Sequence, residues 1–278
     1  MVDPVGDDPA LGLEPAPSTG AVVLESAGVP LVGVLHVPGG PGPHPVVVLL
    51  HGFPGNERNF DLAHALSRAG YAALVFHYRG SWGMGGTWTW RNVQEDAATV
   101  VAAVREAEFA AEHRLDAGRV AVAGHSLGGF TALRTAAADA EVRAVVAIAA
   151  FDLGLVPEAV RDNASERASL VEAFQESVLP LSGTSGEALV AELEALEEDW
   201  RLASLAPRLA GRPVLLLAAE HDAAAAAETN HHPLVKAYED FPVAGLEHAV
   251  YPTDHAFADH RIALARAVIG FLGRHMPV

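Results

Sequence analysis

The run PVVVLLH (residues 45–51) constrains this chain most. It is apolar from its first residue to the closing histidine, with PGPH before it and GFPGN after it. A strand with one wet face alternates polar and apolar residues; this one does not, so both of its faces must be covered. AALVFHY, RVAVAG, VRAVVAIAAF and PVLLLAA repeat the pattern further along. Helical patterns separate them. NFDLAHALSRAG puts Phe60, Leu62, Ala63 and Leu66 on one face and closes with Gly70. VQEDAATVVAAVREAEFAAEH (residues 93–113) reads as one long helix with Val93, Ala97, Val100, Val101 and Val104 in register, and ALARAVIGFLGRH as a closing helix. AVVLES and VPLVGVLHV lie close enough together to form an antiparallel start. Strand and helix alternating in this way give an α/β fold, a mostly parallel central sheet flanked by helices.

The rhythm breaks once, over residues 152–207, where LVEAFQESVL and EALVAELEALEEDW are helical and no strand is evident. A helical cap insertion above the sheet accounts for it. Residues 1–18, acidic and rich in Pro and Gly, read as a flexible tail, leaving one domain over residues 19–278. They carry no basic and apolar signal sequence, and no run is apolar enough to span a bilayer, so a cytoplasmic protein without membrane insertion is expected. The net charge of −17 excludes nucleic acid as a partner. With no cysteine there is no disulfide, no thiolate metal site and no cysteine nucleophile. A homodimer is left open.

AVAGHSLGGF (residues 121–130) sets Ser126 between Gly124 and Gly128 where a strand runs into a helix. A serine held up by such a turn needs small residues two before and two after it, because side chains there would strike the neighbouring strands. The competing reading is a serine that caps a buried helix. HGFPG (residues 51–55) follows the first buried strand, and its backbone can supply one N–H to a developing oxyanion, most plausibly that of Phe53; the other comes from Leu127. A base must hang from a loop at the same sheet edge. His255 lies before the closing helix, whereas His260 falls within it and His275 near its end. Asp222 follows PVLLLAA and can orient His255, with Glu220, Asp254 and, after an earlier strand, Asp152 as rivals. His231 and His232, near His221 and Asp222, match no zinc spacing and read as a solvated loop, and the acidic run 192–199 as an exposed helical face. Trp82, Trp88 and Trp90 read first as packing and second as the lining of an acyl pocket.

In order, HGFPGN, FHYRGSWGMGG, GHSLGG, EHD and DHAF resemble the α/β-hydrolase superfamily, and within it the dienelactone-hydrolase-like, prolyl-oligopeptidase-like and cinnamoyl-esterase-like group. The resemblance implies a serine carboxylesterase with Ser126, Asp222 and His255 as its triad and Phe53 and Leu127 as oxyanion donors. No metal or cofactor is implied, and the partner is a small-molecule ester. A thioesterase, a small acyl-peptidase or a catalytically silent binding protein are the alternatives. FHYRGSWGMGG resembles a loop beside the active site in that group, which makes Tyr78, Arg79 and Trp82 substrate-binding candidates together with Phe174 from the cap. Dienelactone hydrolysis itself, usually a cysteine reaction, is not expected.

Overall fold

In a computed structural model, residues 3–9, 12–196 and 200–278 are described. Their elements follow in the order β1 (Ser18–Ser26), β2 (Val29–Val37), β3 (His44–Leu50), α1 (Phe60–Arg68), β4 (Ala72–Phe76), α2 (Trp90–Ala103) and α3 (Ala107–Glu112). The central turn joins β5 (Leu115–His125) to α4 (Leu127–Ala138), and β6 (Val142–Ile148) comes next. Then α5 (Val156–Val160), α6 (Ala164–Ser177), α7 (Gly186–Glu194) and α8 (Ala206–Leu209) run in succession. The chain ends with β7 (Val214–Ala219), α9 (Ala227–Asn230), α10 (His232–Asp240), β8 (Leu246–Tyr251) and α11 (Arg261–His275).

The strands form one eight-stranded sheet in the order β1-β2-β4-β3-β5-β6-β7-β8. The β1–β2 and β2–β4 pairs are antiparallel and the others parallel, as the two-faced apolar runs require. Period-two alternation assigns β3 to two separate cores. Val46, Val48 and Leu50 join Val93, Val100 and Leu133 on one face, while Val47 and Leu49 join Leu62, Leu66 and Phe271 on the other.

The helix expected over residues 93–113 is two helices. It starts earlier, at Trp90, capped by Thr89, whose side chain accepts the N–H of Asn92. It ends after Ala103, and Arg105 and Glu106 then donate three residues back, to Ala102 and Ala103. In this break Arg105 pairs with Asp139 of the neighbouring α4–β6 turn before α3 begins. His260 is not inside the last helix but occupies its N-cap position, with no side-chain capping bond. Asp3 pairs with Arg266 at 2.6 Å, and Arg68 donates to the carbonyl of Pro4.

Between β6 and β7 the elements among the described residues are helices joined by turns and loops, with a single bridge between Leu181 and Ser81. Asp152 closes the base of this segment. One carboxylate oxygen accepts the N–H of Gly154 and the other that of Leu202, each at 3.0 Å. The segment is also sewn to residues 80–92. Trp82 donates to the carbonyl of Pro180, Trp88 to that of Ser182, and the Trp90 indole to that of Leu189. Glu192 accepts the N–H groups of Trp90 and Arg91, filling donors that the first turn of α2 leaves open. The rest of the acidic run, residues 197–199, lies outside the described residues. Among the described residues no helix is long and apolar enough to cross a membrane.

The crossing of β5 and α4 over β3 permits no side chain at residue 128. A Cβ on Gly128 would lie 1.9 Å from the carbonyl oxygen of Leu50. Gly128→Ala should therefore lower the melting temperature by about 2–5 °C, as overpacking costs of about 1–3 kcal/mol imply at this chain length. Gly273→Ala, where a Cβ meets nothing within 4 Å, should leave it unchanged or slightly raised in the same thermal unfolding measurement.

Candidate active site

Ser126 occupies the N-cap position of α4, but it does not cap. Its side chain makes no capping bond, and its backbone sits at φ 58°, ψ −120°, a region that L residues avoid. The turn is held by its own main chain, with the N–H of Ser126 donating to the carbonyl of Ile148 at 2.8 Å. Both flanking glycines are sterically required. A Cβ at Gly124 would meet the oxygen of Gly128 at 2.0 Å, and one at Gly129 would already crowd Ala150 at 3.1 Å. Ser126 is half-buried, with its side chain turned away from the capping role.

The loop after β3 closes on this turn, so that a Cβ on Gly52 would lie 3.0 Å from that of Ser126. Among the described residues, no protein acceptor takes the N–H of Phe53 or of Leu127. The Phe53 ring is fixed in an aromatic cluster with Trp88, Trp90 and Phe174, at centroid separations of 5.2, 5.4 and 5.4 Å.

From the far side of the sheet edge comes His255, whose Nδ1 lies 2.6 Å from Oδ2 of Asp222. The other oxygen of Asp222 accepts the N–H groups of Ala224 and Ala225 at 2.8 and 2.7 Å. Burial raises the carboxyl's pKa, but the bonds from His255 and these amides outweigh it and hold it below its usual value. Asp222 thus stays an acceptor, so the hydrogen in this bond sits on His255 Nδ1, and Nε2 is the ring nitrogen left over for a second partner. The rivals are engaged elsewhere. Asp152 holds the insertion, Asp254 accepts the N–H of Ala258, His260 pairs with Asp259 and His275 with Glu247.

Among the described contacts, the Ser126 hydroxyl makes no bond to His255. The side chain of His125, next to Ser126, ties the two loops instead: its Nε2 lies 2.7 Å from the carbonyl oxygen of His255, and the rings of these two histidines are 4.7 Å apart. A carbonyl only accepts, so His125 donates from Nε2. Burial, with help from nearby His255, lowers the His125 pKa to about 4 and keeps the ring neutral. Nothing in the letters of GHSLGG signals this tether; it needs the two loops in contact.

Of the substrate-binding candidates, Tyr78 and Arg79 face the interior. Tyr78 is fully buried and donates to the carbonyl of His51 at 3.3 Å. Arg79 bonds Asp96 through Nε at 2.6 Å and Glu95 through Nη2 at 2.5 Å. Phe174 is buried against Phe53 and Trp90, whereas Trp82 is exposed. Trp82 borders a hollow of about 610 Å³ between the loop after β3 (Pro54, Asn56) and the segment between β6 and β7 (Leu179, Pro180, Ser182). A second hollow of about 450 Å³ lies on the His255 side, against Arg58, Ala256 and Arg261. His231 is not in a solvated loop; its ring is buried beside His232 and His248. Among the described residues no group of His, Asp and Glu is arranged to hold a metal ion.

Residues 47–275 match the model of the alpha/beta hydrolase family. An uncharacterized 31.7 kDa protein of Escherichia coli is 32% identical over 169 residues, 59% of this chain and 57% of that one. The 2,6-dihydropseudooxynicotine hydrolase of Paenarthrobacter nicotinovorans is 30% identical over 126 residues, 45% of this chain and 33% of its own length. The chain therefore spans little more than half of the first relative and a third of the second. Among solved structures, Est1E of Butyrivibrio proteoclasticus with ferulic acid bound superposes with a TM-score of 0.72 at 20% identity, covering 93% of this chain and all of Est1E. With a family model spanning most of its length, and with the sheet order and serine turn described above, this chain belongs to the alpha/beta hydrolase family.

Proposed function

We propose that the protein hydrolyses carboxylic esters through an acyl-enzyme on Ser126. The observation that carries this reading is the Asp222–His255 bond at 2.6 Å, formed beside a serine in a strained, non-capping turn. His255 Nε2 accepts the Ser126 proton as Oγ attacks the ester carbonyl. The N–H groups of Phe53 and Leu127 donate to the oxyanion, and Asp222 stabilises the imidazolium. The imidazolium then protonates the departing alkoxide. Water, deprotonated by the same ring, attacks the acyl-enzyme and releases the acid. The Ser126–His255 hydrogen bond forms in the substrate complex; such bonds are often long before substrate binds.

The insertion borders the hollow beside Trp82, and its Phe174 backs Phe53, which supports a role for this cap in selecting the acyl group. An apolar pocket discriminates by about 1–3 kcal/mol for each methylene it gains or loses. The ferulic acid bound to Est1E makes hydroxycinnamate esters a rational member of a test panel beside p-nitrophenyl acetate, butyrate and octanoate.

Ser126→Ala should lower turnover of p-nitrophenyl acetate by on the order of a millionfold with its melting temperature retained. Asp222→Asn should cost about four orders of magnitude in kcat. Asp152→Asn should instead lower the melting temperature, because it weakens the closure of the insertion, and leave most of kcat in place. Rate loss in Asp152→Asn exceeding that in Asp222→Asn would move the acid to the β6 edge. Phe174→Ala should shift the preferred acyl length along the panel while acetate turnover survives. Parallel chain-length profiles for the parent and this variant would leave the cap no part in selection.

A further inference from the structure

The imidazole of His51 is buried, and its Nδ1 lies 2.8 Å from the carbonyl oxygen of Gly52. That carbonyl can only accept, so Nδ1 carries the hydrogen and Nε2 is bare. It also belongs to the Gly52–Phe53 peptide, whose other polar group is the N–H of Phe53. A trans peptide is planar, with C=O and N–H pointing in opposite directions, so holding one aims the other. The neighbouring peptides are pinned independently: Tyr78 donates to the carbonyl of His51, and the Trp82 indole to that of Pro54 at 2.8 Å. The peptide bearing the Phe53 N–H is held by His51 alone among the described side chains.

Behind His51 stands His77, with ring centres 5.6 Å apart. Nη1 of Arg58 lies 3.3 Å from Nε2 of His77. A guanidinium only donates, so this nitrogen is bare and Nδ1 carries the hydrogen. His77 Nδ1 and His51 Nε2 are both buried with no hydrogen-bond partner, and they are a donor and an acceptor. The two tautomers are therefore complementary, and at this ring separation one water can bridge them. Burial and nearby Arg58 hold the His77 pKa at about 4. His51 is held at about 3 by burial, against the raising effect of its bond to Gly52. Both rings are neutral wherever the protein works near neutral pH.

We propose that His51 is a positioning residue that aims the Phe53 N–H at the oxyanion, with its tautomer set through His77 by Arg58. The proposal rests on the ester-hydrolase reading above. It predicts an asymmetry between two amide substitutions. His51→Asn places its NH2 near the old Nδ1 and keeps the donor to Gly52, whereas His51→Gln places it near Nε2 and loses that donor.

The test measures kcat and KM on p-nitrophenyl acetate, the dissociation constant of phenylboronic acid as a tetrahedral-adduct mimic, and thermal melting, on the full chain. His51→Gln should lose about 10²–10³ in kcat, the range for one oxyanion donor, with KM nearly unchanged and boronate affinity weakened by a similar factor. His51→Asn should stay within about tenfold of the parent in both. Equal losses in the two variants, or a loss of kcat at unchanged boronate affinity, would overturn the role of His51 and leave the esterase reading standing. Should His51→Gln melt below the assay temperature, Arg58→Leu applies the same test from the outer end. It should lower kcat several-fold at unchanged KM and melting temperature, and an unchanged kcat contradicts the relay. A parent protein that folds but turns over no ester overturns the functional reading, and this assignment with it.

Discussion

Everything at this site depends on how closely the β5–α4 turn approaches the strand beside it. Gly124 and Gly128 bring main chain against main chain where a methyl group would overlap a carbonyl oxygen by more than an ångström. That contact forces residue 126 into a backbone conformation that costs about 1–3 kcal/mol and denies its side chain the usual capping bond. The sheet meets this cost through the apolar residues of β3, β5 and β6, which are almost wholly buried on both faces. A serine that neither caps nor relaxes is left projecting at the carboxyl edge, where the loops after β3 and β7 and the loop after β8 converge.

Those loops are braced by buried polar groups rather than by the sheet. His125 holds the His255 loop through a carbonyl, Arg261 donates to the next one at Ala256, and Asp222 is ordered by two amides of its own loop. On the opposite wall, Tyr78, Trp82 and His51 each hold a peptide of the HGFPG loop. In the ester hydrolysis proposed above, donors preorganised in this way need little rearrangement as negative charge develops.

Much of this was legible in the chain. Strands β3 to β7 announced themselves as apolar runs without alternation, and the order serine, aspartate, histidine was what the resemblance to the α/β-hydrolase superfamily implied. The glycines around Ser126 gave the turn its signature because only close main-chain approach demands both. Long-range partners were not legible. Asp152 reads as a loop carboxylate until Leu202, fifty positions later, returns to it. Arg79 reads as a ligand-binding cation until Asp96 is found beneath it. The break between α2 and α3 is equally silent, since alanines on both sides of it keep the helical phase.

The central claim is that Ser126 is the nucleophile. A fluorophosphonate reacts only where an activated serine, a base and oxyanion donors act together, so peptide mapping of the labelled protein tests it most directly. The account predicts one adduct, on the peptide containing Ser126, formed by the parent protein and by Asp152→Asn and absent from folded Ser126→Ala. An adduct on another residue, or none on a folded parent protein, would contradict it.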